Sequence, residues 1–388
     1  EKPEPVMQRF QSYPEVVRVI AAGATRGTVI LRSGLQVDLR ILPQRCYGAA
    51  LVYFTGSKAH NIAVRTLGVE RGLRISEYGV FRVPKGKKAE EVGVEEGERI
   101  GGAKEEDVFK AVGLDWVPPE LREDRGEIQA AQKHKLPALI GIEDIRGDLH
   151  LHSKWTDGQS TILEMVRACK ERGYQYCGIT DHSQAVHVAG GLSAQDFKKQ
   201  REEIDNVRRK IRGITVFSGC EVDILPDGSL DLPDDLLEQL DVVVAAVHAK
   251  MDMPQIAMTK RVLKALAHPA VTILAHPTGR LINQREPFAV DLQEIFNAAK
   301  ENDVAVELNA QPDRLDLNDV HLFRAREIGV KIAINTDAHS TEQLYFMRYG
   351  IDQARRGWLE KRHVVNTMTQ TQLQSWLKQR RQRFNKVV

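Results

Sequence analysis

The chain lacks any apolar run approaching the ~20 residues that cross a bilayer. It also shows no basic, apolar, small-residue leader, and it opens with Glu1 rather than Met, which reads as a fragment or a processed form. Cysteine is scarce: four residues in 388 (Cys46, Cys169, Cys177, Cys220), none in CxxC spacing. That argues against a disulfide framework and for a reducing compartment, with all four expected in core or strand positions. Net charge is small, +2, which by itself implies no nucleic-acid partner. What remains is ordinary for a soluble globular protein, with 42% hydrophobic and 28% charged residues. The length allows two or three domains.

What is present is rhythm. From 147 to 340, short β-branched runs alternate with amphipathic, helix-length segments. The runs fall at 147–152, 176–182, 215–224, 241–248, 271–277, 304–310 and 330–339, with helical segments at 160–172, 194–212, 254–267, 291–301 and 318–328. Such alternation means a parallel sheet with crossover helices. Seven strands favour an α/β fold built as a closed or nearly closed β/α barrel, with an open doubly wound sheet as the alternative. Residues 1–125 differ. "GTVILRSGLQVDLRIL" (27–42) reads as a β-hairpin turned at Ser33-Gly34, 48–57 as an apolar strand, 58–72 as a helix and 73–83 as a strand pair. The charged, Gly-rich stretch 84–106 reads as exposed loop, and the Pro- and charge-rich 118–146 as a linker between domains.

The ionisable residues gather at strand ends. His150 and His152 end the first strand, His182 the second, His248 the fourth and His276 the fifth; Glu221 lies late on the third; Asp337 and His339 end the seventh; Asp157 follows the first. In a β/α barrel these positions meet at one mouth. Alternation puts His150 and His152 on one face, with Leu149 and Leu151 on the other. Imidazole and carboxylate are ligands for Zn²⁺, Mn²⁺ or Fe, and nine such groups clustered without metal would leave charges and donors uncompensated. A single strand-end histidine is more often structural; six of them with three carboxylates on one rim are not. His60, His134, His268, His321 and His363 lie elsewhere, and His187 falls in the loop after the second strand, at most at the border of the mouth. Three divalent ions against three carboxylates leave a surplus of about three positive charges, which suits phosphate. The reaction class is then phosphate-ester hydrolysis, with Arg280, after "AHPTG", as a phosphate contact.

"HLH" (150–152), "TDH" (180–182), "GCEVD" (219–223), "VH" (247–248), "AHP" (275–277) and "TDAH" (336–339) resemble the polymerase and histidinol phosphatase (PHP) family, over about 147–375. The resemblance implies a distorted seven-stranded barrel with three divalent ions. One would sit on His150, His152, Glu221 and Asp337, a second on Glu221, His248 and His276, and a third on Asp157, His182 and His339. Many stand-alone family phosphatases have histidine where this chain has Asp157; an oxygen ligand there points to Mn²⁺ ahead of Zn²⁺ or Fe. Earlier, "GLQVDLRILP" and "YFTGSKAHNIAVR" resemble the late palm and thumb of family X DNA polymerases, over roughly 8–83. That resemblance makes Asp38 one of three palm aspartates holding catalytic Mg²⁺, sets Tyr53, Phe54, Gly56 and Ser57 beside the incoming nucleotide, and sends Asn61 and Arg65 to the minor groove. Bacterial members join such a polymerase to a C-terminal PHP domain.

The domains expected are 1–45 (palm fragment), 46–120 (thumb), 121–146 (linker) and 147–388 (PHP). The other two palm aspartates are absent, so the chain alone is expected not to polymerise DNA or use dNTPs, and truncation of a longer protein is the expected cause. The leading expectation is a metal-dependent 3′–5′ exonuclease that also processes 3′ ends or abasic sites in repair. It would act on gapped or primer-template DNA in the bacterial cytoplasm, at the nucleoid, with no membrane partner. Glu221, Asp337 and Arg280 are the expected catalytic residues, while Lys58 and Arg65 would track the DNA backbone. Two rivals stand: a histidinol-phosphate-type small-molecule phosphatase, disfavoured by the thumb, and a structural PHP platform, disfavoured by the complete ligand set. The basic end, "LKQRRQRFNK" (377–386), reads as the solvated face of a terminal helix.

Overall fold

The computed structural model describes residues 2–93 and 95–384. The chain divides into two compact units, Glu1–Leu136 and Pro137–Val388. In the first, helix α1 (Glu4–Gln11) has proline in its first turn, where no helical donor is lost. It packs closely over β2 (Arg26–Leu31), since a Cβ on Gly27 would lie 2.5 Å from Met7 Cε. With β1 (Val16–Ala22) and β3 (Gln36–Arg40), β2 forms an antiparallel meander. The β2–β3 hairpin turns through Gly34 at φ 84°, as the sequence predicts.

The run at 48–57 is not the expected strand but helix α2 (Tyr47–Thr55). Short apolar runs do not separate the two states, and Ala49, Ala50 and Leu51 favour helix. Gly48 lets α2 approach the start of α4 (Glu105–Ala111): a Cβ there would meet the Lys104 backbone at 2.0 Å. Helix α3 (Lys58–Glu70) is N-capped by Ser57, whose Oγ accepts from His60 N. Strands β4 (Leu73–Ser76), β5 (Gly79–Arg82) and β6 (Glu98–Gly101) form a second antiparallel sheet. The stretch 84–106 is thus an exposed loop over 85–88 that then returns as β6.

Residues 121–146 are folded rather than a free linker. Leu121 and Arg122 are buried, and Arg122 donates to both carboxylate oxygens of Glu105. Helix α5 (Glu127–Gln132) begins at buried Glu127, which accepts from His60 Nδ1 at 2.7 Å. Ile140 and Ile145 already belong to the core of the second unit. Regularly placed apolar residues anchor a stretch whose composition alone reads as linker.

The second unit holds the seven expected strands: β7 (Gly147–Leu151), β8 (Tyr176–Ile179), β9 (Thr215–Asp223), β10 (Val242–Ala246), β11 (Ile273–Leu274), β12 (Ala305–Asn309) and β13 (Ile332–Asn335). They lie parallel and in chain order. A parallel bridge from Leu151 to Ala338 returns the last strand to the first, so the sheet is a nearly closed barrel rather than an open one. Helices α6 (Ile162–Glu171), α7 (Ala194–Lys210), α8 (Asp234–Leu237), α9 (Gln255–Leu266), α10 (Leu292–Glu301), α11 (Asp319–Ile328) and α12 (Met347–Arg356) follow successive strands. Thr161, Ser193, Asp291 and Asn318 cap α6, α7, α10 and α11 by accepting backbone N–H groups. Leu149, Val244, Ile273 and Ala333 of the strands pack with Leu373, Trp376 and Leu377 of α13 (Gln370–Phe384), while Leu151, Val243 and Leu308 join the larger cluster shared with the connecting helices.

Two expectations need correction. The β7–β8 pairing slips between Asp148 and Leu151, so Leu149 and Leu151 fall in different clusters instead of sharing a face. The basic end is only partly a solvated face. Arg380 is buried with Nη1 donating to the Pro269 carbonyl, Arg381 donates to the Leu240 carbonyl, and Lys378, Gln379 and Gln382 are exposed. Asn385 and Lys386 lie outside the described residues. All four cysteines are buried and free. Among the described residues no helix is long and apolar enough to cross a membrane.

Candidate metal centre

The C-terminal strand ends converge, and Glu221 of β9 is the hub. Its Oε1 lies 2.9 Å from His276 Nε2 and 3.2 Å from His248 Nε2. Its Oε2 lies 2.9 Å from His182 Nδ1, 3.3 Å from His150 Nε2 and 3.5 Å from His152 Nε2. Asp337 Oδ1 lies 3.0 Å from His152 Nε2, 3.6 Å from His150 Nε2 and 3.8 Å from His339 Nδ1. Asp157 faces His339 at 3.4 Å, His182 at 3.6 Å and His152 at 3.9 Å. All nine residues singled out in the sequence therefore lie in one cluster. His276 (φ 24°) and Asp337 (φ 50°) adopt left-handed backbone, a strained conformation for residues with side chains that surrounding structure must hold.

Many of these close approaches are not hydrogen bonds. His150 Nε2, both nitrogens of His152, His182 Nδ1, His276 Nδ1 and Glu221 Oε2 are buried without a hydrogen-bond partner. Buried polar atoms without partners are rare. Donor atoms that crowd together yet do not point at one another fit ions placed between them. Three groups have ligand atoms mutually within 4.8 Å: His150, His152 and Glu221; His182, Glu221 and His248; and His152, Asp157, His182 and His339. These overlap the implied sets with three shifts: Asp337 is not in the His150, His152 and Glu221 group, His152 joins the Asp157 group, and His182 takes the place expected for His276 beside His248. The donor set fits divalent ions of the Mn²⁺, Zn²⁺ or Fe type.

Without an ion the imidazoles divide. Burial, with His339 and His182 nearby, pushes His152 down to about 3, and burial with Arg314 nearby lowers His276. At His150, His182 (raised to about 10), His248 and His339 the facing carboxylates outweigh burial and favour the protonated form, so an ion held there displaces protons. Burial opposes charge on Glu221 and Asp337, but the surrounding histidines hold both carboxyls well below the usual range. Neutral imidazoles and ionised carboxylates are the metal-binding forms.

Sequence reasoning missed the layer behind these ligands. Glu307 of β12, fully buried, accepts from His150 Nδ1 at 2.8 Å. Asp223 accepts from the Nδ1 and backbone N–H of His248. Asp181 accepts from Ser153, Thr156 and Gln200, which ties down the loop carrying Asp157. The available signal was acidic residues inside apolar strand runs, as in "VAVELNA".

Arg280 is not where the sequence puts it. Its guanidinium donates to the carbonyls of Arg314 and Leu315, bracing that turn. Arg314 instead faces the cluster, with Nε 3.9 Å from Asp337 Oδ2 and Nη1 buried without a hydrogen-bond partner. His187 is exposed in a short 3-10 turn and joins none of the ligand groups.

In the first unit, Asp38 lies exposed on β3, its carboxyl held below the usual range by Thr28 and Gln36 hydrogen bonds. Tyr53 and Phe54 are half-exposed at the end of α2, Gly56 (φ 73°) ends that helix, Ser57 caps α3, Asn61 donates to the Tyr53 carbonyl at 2.7 Å, and Arg65 is exposed.

Comparisons with known proteins agree with this division. Residues 50–123 match the DNA polymerase beta thumb and residues 148–311 the PHP domain. The DNA polymerase/3′-5′ exonuclease PolX of Bacillus subtilis (strain 168) is 40% identical over 380 residues, 97% of this chain; the chain spans 64% of that relative's length. A probable phosphatase of Thermoanaerobacter sp. (strain X514) is 30% identical over 50% of this chain and 78% of its own. Another, from Caldicellulosiruptor saccharolyticus, is 31% identical over 46% of this chain and 74% of its own. The chain belongs to the PHP family, and it carries a polymerase-beta-type thumb ahead of that domain in the sequence.

Proposed function

We propose that the second unit is a metal-dependent phosphodiesterase that shortens DNA from the 3′ end. The observation that carries this is the cluster of nine ligand-type side chains, five with buried partnerless atoms, at a barrel mouth in a chain whose preceding residues match a polymerase-beta thumb. Divalent ions, when bound, supply Lewis-acid polarisation of the phosphoryl group and acidify water. His150, His152, Asp157, His182, Glu221, His248, His276, Asp337 and His339 would hold them, Mn²⁺ first among the candidates because Asp157 contributes oxygen.

The chain's own residues set the geometry. Glu221 brings five imidazoles around one carboxylate and so fixes the spacing between ligand groups. Arg314, rather than Arg280, offers a free N–H to a phosphate oxygen beside Asp337. Arg280 holds the Arg314 turn. In the first unit, Lys58 and Arg65 would follow the DNA backbone, and Tyr53, Phe54, Gly56, Ser57 and Asn61 would border the nucleotide-facing side of the thumb. Asp38 alone does not make a two-ion polymerase site, so Mg²⁺ and dNTP belong to a longer protein. The domain roles follow the same reading: palm fragment over 1–45, thumb over 46–120, PHP domain from 147. A cytoplasmic setting suits a DNA-processing enzyme.

A second reading, a small-molecule phosphatase, draws on the probable phosphatases that share the barrel. The two part in one assay: Mn²⁺-dependent digestion of a 5′-labelled primer, alone and annealed, with His339→Ala as control. A ladder receding from the 3′ end, lost in the variant, supports the exonuclease. Phosphate release from a small phosphomonoester without DNA digestion moves the assignment to the phosphatase.

A further inference from the structure

Strand β12 brings none of the expected ligands, yet it carries a fully enclosed carboxylate. Glu307 is fully buried, and its oxygens meet three N–H donors and one imidazole nitrogen. His150 Nδ1 (2.8 Å) and Asn335 Nδ2 (3.0 Å) meet Oε1, while His276 N (2.8 Å) and Asn309 Nδ2 (3.2 Å) meet Oε2. With His150 Nε2 facing Glu221 as a ligand atom, Nδ1 is the nitrogen left to carry the hydrogen, and Glu307 then accepts at both oxygens. Asp223 repeats the arrangement on β9: one oxygen accepts from the His248 backbone N–H at 2.9 Å and from His248 Nδ1 at 3.1 Å. In both cases the far nitrogen, Nε2, is the one turned toward Glu221.

We propose that Glu307 and Asp223 are positioning residues that fix His150 and His248 as Nε2 donors and, by adding two buried negative charges, tilt the centre toward singly charged phosphodiesters and away from doubly charged phosphomonoesters. This rests on the phosphoesterase reading above and names its substrate class. The first part follows from hydrogen bonding. A carboxylate on Nδ1 selects the tautomer whose Nε2 lone pair is free, and it makes the imidazole a stronger donor. The second part follows from charge. Glu221, Asp157 and Asp337 offset only part of what three divalent ions bring, and the nearby cation Arg314 adds to the positive side. Left there, the mouth would favour the more highly charged anion. A phosphomonoester carries nearly two negative charges at neutral pH, whereas each phosphodiester of DNA carries one. Two carboxylates in contact with ligand imidazoles remove part of that advantage.

The test uses the full chain and the variants Glu307→Gln, Asp223→Asn and Glu307→Asp, each checked for a wild-type melting profile. Apo protein is titrated calorimetrically with Mn²⁺ alone. Separately, kcat/KM is measured on bis(p-nitrophenyl) phosphate and p-nitrophenyl phosphate. Both amide variants are expected to bind Mn²⁺ about 10–100-fold more weakly. They are also expected to raise the monoester-to-diester ratio by about tenfold, as loss of one nearby charge implies. Glu307→Asp, which keeps the charge at shorter reach, is expected to weaken Mn²⁺ binding but to leave the ratio near wild type. A parallel fall on both substrates with an unchanged ratio in the amide variants overturns the charge matching, and unchanged Mn²⁺ affinity overturns the positioning. If the wild type cleaves neither ester, the phosphoesterase reading fails by itself, and the Mn²⁺ titration still decides the positioning.

Discussion

Asp38 and Asp337 are both carboxylates that family patterns single out for metal, yet they stand in opposite surroundings. Asp38 lies on an exposed strand, its charge already satisfied by Thr28 and Gln36. Asp337 is 5% exposed and faces three imidazoles, two of which belong to histidines with partnerless buried nitrogens. A carboxylate whose lone pairs are already engaged needs no ion. A buried cluster in which acceptors crowd acceptors does. The difference marks the second unit, and not the first, as the seat of the chemistry in this chain.

The largest expected effect breaks the hub. Glu221→Ala should lower Mn²⁺-dependent digestion of DNA by about 10³-fold or more, because it withdraws a carboxylate from two of the three ligand groups. Asp38→Ala should leave the same rate unchanged, and a comparable loss there would erase the contrast between the two units. Chelation comes next. Removing divalent ions should lower the melting temperature of the second unit, and Mn²⁺ at about a hundred times its Kd should restore about 2.7 kcal/mol per independent site. Differential scanning calorimetry with and without EDTA reads this directly, and no change in the transition would count against resident ions.

The two arginines offer a finer contrast. Arg314→Ala should cost about 10–100-fold in kcat/KM through loss of a phosphate contact. Arg280→Ala should act more weakly and chiefly through KM, because it removes only the brace beneath that turn. Steady-state kinetics on a short oligonucleotide separates the two, and equal effects would mean that Arg280 reaches substrate itself.

The smallest effect lies in the first unit. Burial works against charge on Glu127, but the His60 hydrogen bond and the backbone N–H groups of Arg125 and Asp124 hold its carboxyl below the usual range. A depressed folded value means that this contribution is present above the unfolded value of about 4.5 and is lost as pH falls through the folded one. Glu127→Gln should therefore flatten the acid limb of stability locally. Hydrogen exchange across α5 between pH 5 and 3 is the measurement, and an unchanged acid limb would deny the pair its role.

Much of this was legible in the sequence, and the exceptions have physical reasons. The seven strands stood out as β-branched runs, and their ligands because six of the seven runs carry a histidine or an acid at or near the C-terminal end. The β2–β3 turn was announced by Ser33-Gly34. Helix α2 was misread because six consecutive apolar residues (49–54) carry no period that separates a strand from a helix, and its packing on α4 decided the matter. Glu307 and Asp223 stayed hidden because a glutamate on a strand reads alike whether it meets water or a ligand's far nitrogen; only the fold shows which. Arg280 and Arg314 lie 34 positions apart, and one braces the other. Sequence proximity to "AHP" pointed to Arg280, whereas Arg314 is the one whose side chain faces the cluster. The segment at 121–146 read as a linker by composition, while Arg122 and Glu127 are buried there through partners distant in sequence.

The most direct test of the central claim is a metal count. Apo protein is equilibrated by dialysis against Mn²⁺, and bound metal per chain is measured by atomic emission for wild type and Glu221→Ala. Three ions per wild-type chain, with at least two lost in the variant, is the expected result. No bound metal in the wild type, or the same count in both, would contradict a metal centre built around Glu221.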